Sequence, residues 1–317
     1  LNRNFIGDAI LQRTLCFLPT HFGHGLIGNC LTPLFAGKSL VLSSFNGLND
    51  AARLSEHIVN YGITFLSSVP TNWALVLKAS DTPRKGTLRQ ISVGSAPLTT
   101  NLWNQVIEWS GIKNVVNMYG ITETANWLAG ASAARFEPSD GLVGQMWGGL
   151  AAVITEDGDI QSEGMGELIV QSPSLMKGYL DKPNLTRKIL KDGWFKTGDN
   201  GSISSDGTIT VGGRKDDQIN RAGIKIQPEE VESMLEKNEY VQESCVFGLF
   251  DGLSGEKVAA AVIPNVGKKI DAAKLREWCS ARIRRECIPE KWFIVSDIPR
   301  NDRGKVSRRV VRELLSN

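Results

Sequence analysis

Side chains able to hold a phosphorylated ligand recur along the whole chain. Tyr119-Gly120-Ile121-Thr122-Glu123 puts an aromatic face, a hydroxyl and a carboxylate at the end of an apolar run. A base could stack on Tyr119, a phosphate oxygen could take the Thr122 hydroxyl, and Glu123 is a hard oxygen donor of the kind Mg2+ prefers. The plainer alternative is that Thr122 and Glu123 cap a following helix. Gly94-Ser95-Ala96-Pro97-Leu98 is either an ordinary strand-to-helix turn or a stretch small enough for a flat ligand to reach the backbone. In Thr197-Gly198-Asp199-Asn200-Gly201 the carboxylate can accept two vicinal hydroxyls from a glycine-flanked turn, or close an Asx turn. Lys305 stands in the polar loop Pro299-Arg300-Asn301-Asp302-Arg303-Gly304-Lys305. It is a solvated charge there, or a point charge that a flexible loop swings toward a reacting carboxylate.

Positioning these residues requires strands that end at them. Apolar runs at 14–19, 39–44, 63–69, 88–93 and 114–118 read as strands, and helical periodicity fills 1–13, 49–61, 71–78 and 99–109. Such alternation predicts a mainly parallel sheet, doubly wound by helices, with ligands bound beyond the strand ends. From Gly141 the rhythm changes to short runs at 143–154, 166–170 and 201–211 broken by Gly, Asp and Ser, which predicts a small antiparallel barrel or sandwich. The stretch Gly212-Gly213-Arg214-Lys215-Asp216-Asp217-Gln218, leading to Pro228-Glu229-Glu230-Val231-Glu232, is too charged to bury and is expected on a surface between two packed bodies, as a hinge. Beyond it, a strand pair over 218–226, helices at 228–238 and 271–286 and strands at 244–249, 257–264 and 292–295 predict a small α+β domain. The reading is therefore α/β in class: a partial doubly wound lobe over 1–140, a small β-barrel lobe over 141–215 and a C-terminal domain over 216–317.

Composition narrows the function. A chain of 317 residues with 41% hydrophobic content is large enough for several cores, and its net charge of +2 leaves no footprint for nucleic acid. The cysteines, Cys16, Cys30, Cys245, Cys279 and Cys287, lack metal-site spacing and read as free thiols, which points to a reducing, cytoplasmic setting. No apolar run is long enough for a membrane span. Gly23, Gly25 and Gly28 imitate a dinucleotide-binding turn, but the next strand ends without the acidic residue that should hold a ribose. Gly37-Lys38-Ser39 imitates the end of a phosphate loop, yet Thr32 occupies the position of its first glycine.

Taken together and in order, these stretches resemble the adenylate-forming ligases: acyl-coenzyme A synthetases, luciferases, fatty acyl-AMP ligases and peptide-synthetase adenylation domains. The resemblance covers nearly the whole chain and is strongest toward acyl-coenzyme A ligases and fatty acyl-AMP ligases. It implies that Gly94, Ser95, Ala96 and Pro97 line the adenine, that Asn117, Tyr119, Gly120 and Thr122 complete the nucleotide site, and that Glu123 binds Mg2+. It further implies that Asp199 takes the ribose, Arg214 contacts the nucleotide, Asp216 is the hinge and Gly223 shapes a thiol tunnel. Phe22, His24, Gly94 and Gly120 would form the acyl pocket, and Lys305, Thr122 and Glu123 the catalytic set. The implied reaction takes a carboxylic acid and ATP to acyl-AMP and pyrophosphate, then transfers the acyl group to the thiol of coenzyme A or of a carrier-protein phosphopantetheine.

Two departures shape the expectation. The family's Ser/Thr/Gly-rich phosphate loop is not found in this sequence, so the chain is expected to be the C-terminal part of an enzyme, poor at adenylation alone, with the remainder in a removed segment or a separate chain. Phe22 falls where the family often has His, and Gly23 where amino-acid-activating members carry Asp. A buried ammonium without that carboxylate costs several kcal/mol, which disfavours an α-amino acid and leaves fatty, aryl or other carboxylic acids. The alternatives are a stand-alone adenylation protein that loads a carrier protein, or a truncated, non-catalytic subunit.

Overall fold

The computed structural model describes all residues except 84–85, 252–254, 301–304, 317 and the side chain of Asn126. Residues Asn301, Asp302, Arg303 and Gly304 of the lysine loop thus lie outside the described residues. The chain divides into two compact units, 1–197 with 201–211, and 198–200 with 212–317.

The larger sheet holds the strands β1 (Arg13–Cys16), β2 (Ser39–Leu42), β3 (Phe65–Ser68), β4 (Gln90–Gly94), β5 (Val115–Ile121), β6 (Asn126–Ser132), β7 (Leu142–Met146), β8 (Leu150–Ile154), β9 (Ile160–Gln161), β10 (Gly164–Gln171), β11 (Leu190–Lys191), β12 (Trp194–Ile203) and β13 (Ile209–Arg214). Strands β2, β1, β3, β4 and β5 pair in that order, all parallel. From β5 the path continues through β6, β7, β13, β12, β10, β8 and β9. The antiparallel strands expected after Gly141 thus join the parallel ones edge to edge through β6 and β7. The parallel strands are near-continuous apolar runs because helices cover them, and Trp73, Trp103, Leu66 and Ile91 are wholly buried there. Each such side chain removed from water stabilises the unit by about 1.5–3 kcal/mol. Trp103 also satisfies its indole by donating to the Val115 carbonyl at 3.0 Å.

Several expected elements are shorter. The helix anticipated over 1–13 covers only Asn2–Ile6, because Gly7 turns the chain at φ 92°. The one over 49–61 is two helices, Leu48–Ala52 and Leu54–Asn60, parted at Arg53. Between His24 and Leu31 the chain winds as a π-helix. A Cβ at Gly25 would lie 2.1 Å from the Pro19 carbonyl oxygen. Close backbone approach therefore accounts for Gly25.

The second unit holds β14 (Ile219–Arg221), β15 (Ile224–Ile226), β16 (Val241–Asp251), β17 (Gly255–Pro264) and β18 (Lys291–Ile294), ordered β15-β14-β17-β16 with β18 parallel to β17. The two-residue period of β16 and β17 feeds two cores. Val246, Val258, Ala260 and Val262 pack with Val231 and Leu235 of helix Pro228–Leu235 and with Leu275 and Cys279 of helix Ala272–Ser280. Cys245, Phe247, Ala259 and Ala261 face Val311 of helix Arg308–Leu315, an element the sequence reading did not anticipate. The helix expected over 271–286 stops at Ser280. All five cysteines are free and buried.

The expectation that 212–232 cannot be buried is corrected here. Ile219, Ile226, Pro228 and Val231 are buried, and the side chains of Glu229 and Glu232 are 17% and 15% exposed. The compensating charge is Arg308, whose guanidinium lies 2.9 Å from Glu229, 2.5 Å from Glu232 and 3.0 Å from Asp217. Burial pushes the Glu229 carboxyl up to about 7, against the pull of Arg308. Burial, with Glu232 nearby, pushes Glu236 up to about 8. For Arg308 burial works the other way, but the surrounding carboxylates outweigh it and hold the guanidinium charged.

Candidate functional site

In the first unit, β5 runs three residues further than expected, to Ile121, so Tyr119 and Gly120 belong to the strand itself. No helix follows. A single 3-10 turn, Thr122–Thr124, closes through Ala125 at φ 56° and returns as β6. Helix capping is thereby removed as the reason for Thr122 and Glu123. Thr122 is exposed at the turn, and Glu123 is held twice by one distant segment. The Met176 amide donates to the Glu123 carbonyl at 2.7 Å, and the Tyr179 hydroxyl donates to Glu123 Oε1 at 2.5 Å. The segment is itself fixed, since the Tyr179 amide donates to Thr186 Oγ1 at 3.0 Å. At Gly178 a Cβ would meet the Thr186 side chain at 2.8 Å.

Gly94 ends β4 beside Met118, where a Cβ would come within 3.0 Å of the Met118 backbone. Ser95 follows at φ 68°, a left-handed conformation that costs a serine free energy and concentrates at functional loops. Ala96 is half-buried and Pro97 exposed. Beneath the loop lies His24, 4% exposed. Its Nδ1 is 2.9 Å from Ser95 Oγ and its Nε2 2.6 Å from Ser67 Oγ. Its ring stands edge-on to Trp127 at 5.5 Å, and Trp127 pairs across the strands with Gly120. His24, Gly94 and Gly120, three of the residues expected around the acyl group, thus lie close together, with Ser67 and Trp127 beside His24. Phe22 is half-buried with its ring edge-on to His21. Asn29 donates to the Ser67 carbonyl at 2.9 Å. Its Oδ1 accepts no hydrogen bond among the described residues. Asn117, expected against the nucleotide, is buried and gives its side-chain amide to the Leu142 carbonyl at 2.7 Å. That commits its donor to joining strands beneath the loop.

In the second unit, Asp199 lies within β12 rather than in the expected turn, and it is 6% exposed. Arg214 Nη1 lies 3.0 Å from Asp199 Oδ1. Gly198, at φ 72°, makes room for the pair, because a Cβ there would sit 3.2 Å from the Arg214 guanidinium. Asp216 is exposed in the 3-10 turn Lys215–Asp217. Gly223 sits at φ 87° in the tight turn between β14 and β15, where its amide donates to Asn220 Oδ1 at 3.1 Å. Lys305 is exposed, next to the Arg300–Val306 bridge that ties the two ends of its loop. Arg308 fastens the helix that follows, through Asp217, Glu229 and Glu232.

A metal would have to fit these donors. No group of three His, Cys, Asp or Glu residues able to cage an ion occurs among the described residues. Mg2+ suits such a site, since it is commonly held by one or two carboxylates and completed by water and substrate phosphate. Glu123, with Oε1 engaged by Tyr179, offers Oε2 for that purpose.

Known proteins resemble this chain in sequence and in fold. The family described as AMP-binding enzyme matches residues 4–180, and the AMP-binding enzyme C-terminal domain matches 230–305. A probable CoA ligase, CCL9 of Humulus lupulus, is 30% identical over 95% of this chain, and an oxalate–CoA ligase of Arabidopsis thaliana is 29% identical over 95%. This chain spans 58% and 59% of those relatives. The crystal structure of ATP-bound MatB from Rhodopseudomonas palustris superimposes with a TM-score of 0.89 at 28% identity, covering all of this chain and 63% of that one.

Proposed function

The chain belongs to the AMP-binding enzyme family, and from that premise we propose that the protein activates a carboxylic acid with ATP and Mg2+ and transfers the acyl group to coenzyme A. In the first step a carboxylate oxygen attacks the α-phosphorus and pyrophosphate leaves. In the second the thiol sulfur, losing its proton, attacks the acyl carbon and AMP leaves. The observation that carries the reading is Asp199, a nearly buried carboxylate fixed by Arg214 and suited to accept the hydroxyls of a ribose.

The other residues divide the remaining work. Tyr119 offers its face to the base, with Gly94 to Pro97 allowing close approach. Thr122 would donate to phosphate. When bound at Glu123, Mg2+ supplies positive charge against the phosphates. Lys305 would hold the attacking carboxylate beside the α-phosphate in the first step. Asp216 is the residue about which the chain would turn between steps, and Gly223 would border the thiol path.

The acyl group is proposed to be short and polar. Its pocket would contain the buried His24 and Ser67 and the half-buried Ser95, already bonded to one another, and this polar lining suits a polar acyl group better than a long apolar chain. The Arabidopsis relative named for oxalate is consistent with this class. A panel of dicarboxylic, aromatic and fatty acids, supplied with ATP, Mg2+ and coenzyme A, tests the assignment. AMP and acyl-coenzyme A should appear one for one, fastest with a short dicarboxylic acid. ADP formed in place of AMP would contradict the reaction; a preference for long fatty acids would contradict only the acyl class.

A further inference from the structure

Glu123 is the residue whose placement the sequence explains least, because a lone carboxylate on a three-residue turn has several rotamers to choose among. Carboxylates that bind metal well are held by outer hydrogen bonds, which fix the orientation of the coordinating oxygen. In this chain the hold comes from one segment, Met176-Lys177-Gly178-Tyr179, far along the sequence. Its Met176 amide sets the Glu123 backbone at 2.7 Å. Its Tyr179 hydroxyl takes Oε1 at 2.5 Å.

We infer that Tyr179 is a positioning residue that orients the Glu123 carboxylate for the metal of a metal–nucleotide complex. The inference rests on the reading of Glu123 as the metal donor. A phenol suits the task because it donates one hydrogen bond to Oε1 without bringing a charge that would compete for the ion. The segment is braced for it. The Tyr179 amide is anchored on Thr186 Oγ1, which in turn donates to the Lys182 carbonyl at 3.1 Å, and Gly178 keeps clear the space that the Thr186 methyl occupies. The Tyr179 ring is thereby carried by a strapped turn rather than by a free loop.

Mn2+ in place of Mg2+ gives a readout independent of turnover, through water-proton relaxation on titrating the protein with Mn2+ in the presence of the non-cleavable α,β-methylene analogue of ATP. Tyr179→Phe removes one oxygen and keeps the ring. It should weaken Mn2+ binding in the ternary complex about 10-fold or more, while affinity for metal-free AMP and the melting temperature stay at wild-type values. Glu123→Gln should weaken Mn2+ binding further, and the double variant should be no worse than Glu123→Gln alone. If Glu123→Gln weakens the metal and Tyr179→Phe does not, the positioning role is overturned and the donor assignment stands. If Glu123→Gln leaves Mn2+ affinity unchanged, or the wild-type complex takes up no Mn2+, the donor assignment falls and the inference with it. Equal loss of Mn2+ and AMP affinity in Tyr179→Phe would mark a structural role and also overturn the inference.

Discussion

Arg214 Nη1 stands 3.0 Å from Asp199 Oδ1, and the residue before Asp199 is a glycine whose missing side chain leaves space for that guanidinium. The pair presents a carboxylate that accepts hydroxyls beside a cation that attracts phosphate, which is the polarity a ribose 5′-phosphate demands.

Asp199→Ala should therefore weaken AMP binding through the ribose alone. Calorimetry with AMP and 2′,3′-dideoxy-AMP checks this. The wild type should prefer AMP by about 10-fold or more, as expected for charge-assisted hydrogen bonds worth roughly 1.5–3 kcal/mol. The variant should bind both alike. An undiminished preference would remove Asp199 from the site.

Lys305→Ala should suppress acyl-AMP formation and leave thioester formation from supplied acyl-AMP largely intact, because the lysine is assigned to the first step only. Rapid-quench assays of the two half-reactions measure this. Equal loss in both would contradict the assignment.

Arg308→Met should destabilise the second unit by about 3–5 kcal/mol, the usual cost of leaving buried charges without their partner. Its guanidinium is the cation that Glu229, Glu232 and Asp217 share. Urea unfolding followed by hydrogen exchange of the backbone amides of β16 and β17 reports on this unit, and a loss under about 1 kcal/mol would mean the carboxylates are neutral without it.

Stability of the same unit should fall as pH rises. Glu236 and Glu229 are held up to about 8 and about 7 by burial, so between the ordinary glutamate value and those values the folded unit binds more protons than the unfolded chain. The slope is negative across that window and levels above about 8. Glu236→Gln, which keeps an acceptor for the Ser244 amide 3.2 Å away, should flatten it. A melting temperature that rises from pH 5 to pH 8 would oppose the reading.

Much of the architecture was legible because its signals are local. Strand β4 ends at Gly94-Ser95 as the small-residue run suggests, and the turn at Ala222-Gly223 joins β14 to β15 within the stretch read as a strand pair. What sequence reading missed depends on distant partners. The acidic start of helix Pro228–Leu235 read as solvated because Arg308, which allows it to be buried, is remote in sequence and sits on a helix that was not anticipated. Asp199 read as a turn residue from its flanking glycines, but Gly198 serves Arg214 and the strand continues through it. The contact between Tyr179 and Glu123 had no sequence signal, since a tyrosine in Met176-Lys177-Gly178-Tyr179 looks the same whether it packs or donates.

Oxygen-18 transfer tests the acyl-AMP intermediate most directly. With the substrate carboxylate labelled in both oxygens, one labelled oxygen should leave in the phosphate of AMP for each acyl-coenzyme A formed, because that oxygen makes the bond to phosphorus and stays with it when the thiol attacks carbon. AMP released without label, or label found in pyrophosphate, would contradict the account.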